Sequence, residues 1–293
     1  GFESFELDIT GAARPGEQAE LLILVHDTSV TALDKSARDG EPQGCSSGPN
    51  HYIISDLWGA RFGCIWQDVS LLHLPAVRVR DVLVQTSWRS GNITVKTRLV
   101  NDTAEAVAVR LAQDVLEAGQ PVHDVGRRQV TVPAHGEVLV ELSADWPEPK
   151  LWGIGGRWGD PKNLYHLRSS VGLADSGMGL DEHYQRFGFR ELYIADGQFT
   201  LNGVRLPLQG GGNWYLQEGK APHGNRWFAR HMYRADRGMN VNIHRWHRHG
   251  DVAREFLDLG DETGMLAEPE GPYWGVSGIP DIQGFTDWDD PVW

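Results

Sequence analysis

The spacing of apolar side chains changes part-way along the 293 residues of this chain. Between about residues 80 and 171, apolar and polar side chains alternate, as they do at Ile93, Val95 and Leu99. A period of two is typical of a β-strand that buries one face. The alternation recurs in later segments such as 107–111, so we expect a small antiparallel sandwich with the strand spacing of an immunoglobulin-like domain.

Beyond about residue 190 the apolar period becomes helical. Phe228, Met232 and Ala235 stand at i, i+4 and i+7. This spacing predicts a helix over residues 226–236, with Gly238 as its C-cap.

The next segments continue the alternation of strand and helix. A short strand is expected at residues 241–244, a helix between an N-cap at Asp251 and a stop at Gly264, and another strand at 265–267. This order predicts a parallel sheet. A complete (β/α)₈ barrel needs about 250 residues, and 103 residues follow Arg190. We therefore expect only the first part of such a barrel.

The first 78 residues mix short apolar stretches with turn-forming residues. The apolar run at residues 21–25 predicts a buried strand. The segment 34–50, rich in Gly, Ser, Asp and Pro, predicts a long surface loop.

Composition narrows the classes of partner. Acidic residues number 40 and basic residues 27, for a net charge of −13, which argues against binding to nucleic-acid phosphates or to an anionic membrane surface. No apolar run approaches the ~20 residues of a transmembrane helix. Cys45 and Cys64 can form one disulfide at most, outside the predicted sandwich. The 12 tryptophans suit either stacking on sugar faces or packing in β-sandwich cores.

Motifs along the chain occur in an order that resembles glycoside hydrolase family 2. Residues 5–17 resemble the F-x-x-D-I-T strand and P-G turn of that family's sugar-binding domain, and residues 62–69 resemble its G-I-W-x-D-V signature. Residues 146–165 resemble the P-x-L-W and P-x-L-Y pair that closes its sandwich, and residues 187–203 resemble F-G-F-R-E followed by F-x-L-N-G.

This resemblance implies a multidomain β and α/β architecture. The expected domains are a sugar-binding, jelly-roll-like β-sandwich at residues 1–78, an immunoglobulin-like β-sandwich at 79–186 and the first part of a (β/α)₈ TIM barrel at 187–293.

The resemblance also implies an activity, that of a retaining exo-β-glycosidase acting on terminal β-linked sugars. Residues 212–214 resemble the G-A-N-W of β-mannosidase-like members, and residues 238–245 their N-M-N-M-x-R. After Arg245 the sequence follows neither the mannosidase nor the galactosidase pattern, so both substrate types stay open. Retaining hydrolysis needs two carboxyl groups. In the resembled family these follow later barrel strands, so the acid/base and the nucleophile are expected beyond residue 293.

Five residues that follow the predicted barrel strands are the candidate sugar-binding side chains: Arg245, Trp214, Asn213, His247 and Glu270. Barrel enzymes carry their active sites at the carboxyl ends of the strands, where a guanidinium, an aromatic ring and an amide suit a monosaccharide. Glu268 is a further acid at this edge, and neither glutamate is assigned as the nucleophile. The structural alternatives are a buried, ion-paired arginine, a tryptophan that closes the barrel base, and exposed loop acids.

Three other motifs give little support to a function. The donors His244, His247, His249 and Asp251 can bind zinc in principle, but no His-Glu-x-x-His helix or cysteine pair supports such a site. No metal or other cofactor is therefore expected. The glycines at residues 210–212 lack the pattern of a P-loop. Asn92 and Asn101 begin sequences that match the glycosylation acceptor pattern.

A second function from a different class remains open, that of a non-catalytic carbohydrate-binding or scaffold protein whose barrel has degenerated. In both cases the expected partner is a carbohydrate, with no nucleic acid and no membrane. The sequence leaves the oligomeric state and the cellular location undetermined.

Overall fold

Alternating apolar residues build a seven-stranded β-sandwich in the computed structural model, which describes residues 6–13, 16–24, 65, 69–212, 226–246 and 254–269. One antiparallel sheet has the order β1-β2-β5 and the other the order β4-β3-β6-β7. The strands are β1 Val77–Ser87, β2 Asn92–Asn101, β3 Val107–Glu117, β4 Gln120–Val132, β5 Gly136–Asp145, β6 Leu164–Leu173 and β7 Gly179–Gly188.

The inward face of β2 is the one that the alternation predicts. Ile93, Val95, Thr97 and Leu99 have no exposed surface. They pack in a core with residues of both sheets, among them Val109, Leu111, Val115 and Leu167. The predicted antiparallel β-sandwich is therefore confirmed.

Buried Asn101 holds the loop between β2 and β3. Its Nδ2 donates to the carbonyl oxygens of Glu105, Val132 and Pro133, and its Oδ1 accepts hydrogen bonds from the backbone N–H and the hydroxyl of Thr103. Because this amide is buried and fully engaged, the acceptor pattern that begins at Asn101 is not available for glycosylation.

The predicted buried strand at residues 21–25 is wrong for the part that the structure describes. Leu22 and Leu24 are 89% and 90% exposed, and residues 21–24 form no strand. An apolar run becomes a strand only beside a hydrogen-bonding neighbour, and no described strand pairs with this run. The predicted loop at 34–50, both cysteines and most of residues 1–68 lie outside the described residues.

A small antiparallel sheet, in the order β10-β9-β8, follows the sandwich. Its strands are β8 Leu192–Ala195, β9 Gln198–Leu201 and β10 Val204–Arg205. Buried Leu201 and Leu206 pack on one side of it with Trp152, Ile154 and Leu266. This sheet therefore lies between the sandwich and the segment that follows.

The last described segment alternates strands and helices, as predicted. Its elements are β11 Gly210–Gly212, α1 Arg226–Gly238, β12 Ile243–Trp246, α2 Arg254–Thr263 and β13 Leu266–Pro269. The three strands are parallel and adjacent in the order β11-β12-β13. The helices pack on one face of this sheet through a cluster that contains Ala229, Tyr233, Phe256, Leu259 and Met265. No helix in the described part of the chain is long and apolar enough to cross a membrane.

Two details of α1 correct the prediction. Ala229 and Tyr233 are its fully buried residues, and the predicted Phe228 and Met232 pack partly buried against the same cluster, whereas Ala235 is exposed. Gly238 is the last helical residue rather than the cap, and the left-handed residue that terminates the helix is Asn240, with φ of 63°. The N–H groups of Asn240 and Val241 donate back to the carbonyl oxygens of Arg237 and Asp236, which is a Schellman ending that an asparagine can provide. The predicted stop of α2 at Gly264 is confirmed, with φ of 72°.

The Asn101 contacts give a first prediction. Replacing Asn101 with Ala removes its hydrogen bonds to three carbonyl oxygens and to the Thr103 N–H and hydroxyl, so we expect a loss of about 1–3 kcal/mol of unfolding free energy. The midpoint of urea unfolding measures it. Asn92→Ala, at a half-buried position on the same strand, is the matched control. Equal losses in the two variants would contradict the role given to Asn101.

Candidate functional site

The face of the parallel sheet opposite the helices is closed at one end and open at the other. Ile243 and Leu266 are neighbours in register near the amino ends of β12 and β13 and pack against the small sheet. Two residues further along, on the same face, Arg245 and Glu268 are again neighbours in register, and both are exposed. The open end therefore presents a guanidinium beside a carboxylate.

The strand on the other side of Arg245 has no side chains. Gly212 of β11 is the register neighbour of Arg245, and glycine in a strand often marks a place where a ligand or another chain segment approaches the backbone closely. A guanidinium donates hydrogen bonds and a carboxylate accepts them. Together they match the hydroxyl groups of a sugar, each of which both donates and accepts.

The four other predicted site residues follow the same three strand ends. Asn213 and Trp214 come directly after β11, His247 comes after β12 and Glu270 comes after β13. All four lie outside the described residues, so their roles stay predictions.

His244 lies on the opposite face of β12, which separates it from Arg245. Its Nδ1 is 3.3 Å from a carboxylate oxygen of Asp236 on α1, and its ring meets the ring of Tyr233 edge-on, 6.1 Å between centroids. No cluster of three metal-binding side chains occurs among the described residues. The other three donors of the zinc site considered in the sequence lie outside that part of the chain: His247, His249 and Asp251.

Burial shifts the pKa values of His244 and Tyr233. It lowers the pKa of the His244 imidazole, and the nearby Asp236 carboxylate offsets only part of that change. Burial also raises the pKa of the Tyr233 hydroxyl. Sequence reasoning missed Asp236 and Tyr233, although both stand at helical spacing from Ala229 (i+7 and i+4) and so lie on the buried face of α1.

The sandwich holds the α/β segment through polar contacts at its closed end. The Trp152 indole N–H donates to the carbonyl oxygen of Asp261 over 2.7 Å. The Arg186 guanidinium reaches Asp258, Asp261 and Glu262 of α2 at 3.0, 3.3 and 3.2 Å. Burial alone would raise the pKa of Glu262, but the cations Arg226 and Arg186 more than offset it, and that pKa lies below its usual range.

Comparison with known proteins identifies a related family for the sandwich. The model of glycosyl hydrolases family 2 matches residues 77–190, which span the whole sandwich. This part of the chain is therefore similar to the glycosyl hydrolases of family 2.

Curated relatives are β-galactosidases that are much longer than this chain. The enzyme of Leuconostoc mesenteroides is 24% identical over 167 residues, which cover 55% of this chain and 15% of the relative. That of Thermoanaerobacterium thermosulfurigenes is 24% identical over 241 residues, covering 74% of this chain and 30% of the relative. The chain thus spans less than a third of the length of these relatives.

Two solved structures have a similar fold. A Bacteroides uniformis β-glucuronidase matches with a TM-score of 0.55 and 20% identity, over 68% of this chain and 24% of the other. A putative β-galactosidase of Bacteroides fragilis matches with a TM-score of 0.57 and 23% identity, over 67% of this chain and 30% of the other. These two likenesses establish the fold.

The His244 pair generates a prediction about pH. Since the folded pKa of His244 lies below the value of about 6.5 in an unfolded chain, the folded state binds fewer protons, and stability falls as the pH drops from 6.5 through the folded pKa. His244→Gln should therefore lose less stability than the wild type between pH 7.5 and 5.5. Urea unfolding followed at the two pH values measures this.

His166→Gln, which removes an exposed histidine from β6, is the control and should keep the wild-type pH dependence. A His244→Gln variant with the same pH dependence as the wild type would contradict the assignment.

Proposed function

We propose that this chain is part of a retaining exo-β-glycosidase that removes terminal β-linked sugars. In this proposal residues 187–293 form the first part of a (β/α)₈ barrel, residues 79–186 the immunoglobulin-like sandwich and residues 1–78 a jelly-roll-like sugar-binding domain. The substrate is of the β-mannoside or β-galactoside type. The similarity of residues 77–190 to glycosyl hydrolases family 2 supports the reaction class, and the curated relatives named above are β-galactosidases.

The observation that carries the proposal is the arrangement of Arg245 and Glu268. They are side by side at the carboxyl ends of two parallel strands, the edge at which barrel enzymes bind their substrates. The amino ends of the same strands are covered by Leu201 and Leu206, so among the described residues this face is open at the carboxyl ends. Arg245 would donate to sugar hydroxyls, and Glu268 would accept from a neighbouring hydroxyl. Asn213, Trp214, His247 and Glu270 would complete the pocket.

Hydrolysis itself needs two further groups. Retaining enzymes use an acid/base and a nucleophile whose carboxyl groups lie about 5–5.5 Å apart, and we place both beyond residue 293. Arg245 and Glu268 then bind and orient the sugar and do not break the bond.

Two measurements on the purified chain test the proposal. We expect no turnover of 4-nitrophenyl β-D-galactoside or β-D-mannoside, because neither reacting carboxylate is present. We expect weak binding of methyl β-D-galactoside or methyl β-D-mannoside, seen by saturation-transfer NMR. Arg245→Ala/Glu268→Ala should reduce this signal at least fivefold, because both hydrogen-bonding groups are gone.

The matched control is Arg110→Ala/Glu141→Ala, which removes an exposed arginine and an exposed glutamate from the sandwich and should leave the NMR signal unchanged. Robust turnover would contradict the placement of the catalytic groups. Sugar binding that survives in Arg245→Ala/Glu268→Ala would contradict the site.

A further inference from the structure

The sandwich carries an open cavity of about 750 Å³ at one end of its four-stranded sheet. The cavity lies between the loop that joins β2 to β3 and the turn that joins β6 to β7. Small-molecule sites in proteins have volumes of about 300–1,000 Å³, so this space is large enough for a ligand. We call it the sandwich cavity.

Small residues create this space. Ala104, Ala106 and Ala108 recur at a period of two in the sequence and line the cavity together with Ala174. Ala108 is exposed on the outer face of β3, because side chains alternate between the two faces of a strand and Val109 is buried in the core. The four methyl groups therefore form an apolar wall and leave room beside it.

Hydrogen bonds hold the two sides of the cavity in place. On one side, Asn101 Nδ2 donates to the Glu105 carbonyl oxygen over 2.8 Å. On the other side, the Ala174 N–H donates to the Ala108 carbonyl oxygen over 3.0 Å, and the Arg110 guanidinium donates to the Ala174 carbonyl oxygen over 3.3 Å. Because both sides are already ordered, a ligand loses little affinity to ordering the protein.

Two polar side chains of the cavity are available to a ligand. The Glu105 carboxylate and the Gln129 amide line the cavity and are exposed. Neither side chain has a hydrogen bond or an ion pair within the described part of the chain. Asp175 lines the cavity as a second carboxylate, and its Oδ1 accepts a hydrogen bond from the Ser176 N–H.

This combination of groups fits a neutral saccharide. Carboxylates accept hydrogen bonds, and an amide both donates and accepts them, so together they match hydroxyl groups. The C–H groups of a sugar ring suit the apolar wall. Two carboxylates in a protein of net charge −13 repel an anion. A small cation would satisfy the carboxylates but leave the amide and the apolar wall unused.

The sandwich cavity is remote from Arg245 and Glu268. It lies at the Leu173 end of β6, whereas Leu164, at the other end of that strand, packs with Trp152 in the cluster that joins the α/β segment. Ten residues of an extended strand span about 30 Å. A short ligand in the cavity therefore does not reach the parallel sheet.

We propose that the sandwich cavity binds a short neutral saccharide and is a second carbohydrate site of this chain. Glu105 and Asp175 accept hydrogen bonds from the sugar hydroxyls, Gln129 pairs with a further hydroxyl, and the ring C–H groups pack on Ala106 and Ala108. The proposal does not rest on glycosidase activity or on Arg245 and Glu268.

NMR of the alanine methyl groups of the full chain tests the proposal, because these methyls form the wall of the cavity. The probes are β-1,4-galactotriose and β-1,4-mannotriose. We expect at least one of them to shift the signals of Ala106, Ala108 and Ala174 in a saturable way and to leave Ala229, in the buried cluster of α1, unshifted. Glu105→Ala/Gln129→Ala should weaken this binding about tenfold, because two hydrogen bonds are lost.

A second variant tests the shape of the cavity. Ala108→Ile fills it from an exposed strand position and should abolish the shifts of Ala106 and Ala174. The matched control for the hydrogen bonds is Gln85→Ala/Glu148→Ala, which removes an exposed glutamine and an exposed glutamate elsewhere in the sandwich and should bind as the wild type does. Unchanged signals of Ala144, which packs against the sandwich core, verify that each variant is folded.

Four results would each overturn the proposal. They are the absence of a saturable shift with both trisaccharides, equal weakening in the control, binding that survives in Ala108→Ile, and shifts with spermidine but with neither trisaccharide, which would indicate a cation site. Arg245→Ala/Glu268→Ala should keep the alanine shifts, so a failure of the Arg245 site is distinguishable from a failure of the sandwich cavity.

Discussion

The position of the indole of Trp152 constrains the rest of the described structure. Trp152 is buried where the sandwich, the small sheet and the α/β segment meet. Its backbone N–H donates to the Phe189 carbonyl, its carbonyl accepts from the Asn202 side chain, and its indole N–H donates to Asp261. A Cβ at Gly188 would come within 2.5 Å of the Trp152 side chain, so the strand that ends there must end in glycine.

This junction explains why the candidate site opens in one direction. The side chains around Trp152 fill the space under the amino ends of β12 and β13, and Ile243 and Leu266 are covered there. The carboxyl ends, two residues further along, are left open with Arg245 and Glu268 exposed. The sandwich thus does more than precede the α/β segment in sequence. Trp152, at its end, packs against the side chains at the closed end of the proposed sugar site.

The sequence predicted elements that repeat a simple period, and it missed contacts that depend on distant partners. The alternation through Ile93, Val95 and Leu99 predicted the sandwich, and the order of strands and helices predicted the parallel sheet. The leucines at 21–24 show the limit of such reasoning, because an apolar run does not specify which neighbour will cover it.

In the candidate site, too, the sequence predicted some features and missed contacts between distant residues. The sequence put Arg245 after a strand at residues 241–244, whereas the structure places it inside β12, with Glu268 as its register neighbour. No sequence pattern predicted that Asp236 would face His244, because that contact depends on how α1 packs on the sheet. The helical spacing correctly placed Phe228 and Met232 against the core of the α/β segment, but it missed the fully buried Tyr233 and wrongly included the exposed Ala235.

Hydrogen exchange in a Trp152→Phe variant tests most directly whether the junction holds the site strands. Phenylalanine keeps most of the apolar volume but loses the N–H that bonds Asp261. We expect faster exchange in α2, β12 and β13, with unchanged exchange in β2 and β3. Trp158→Phe, which removes the indole bond to the Arg205 carbonyl, should leave α2 unaffected. Exchange in α2 and β13 that is identical in Trp152→Phe and the wild type would contradict the role given to the Trp152 junction.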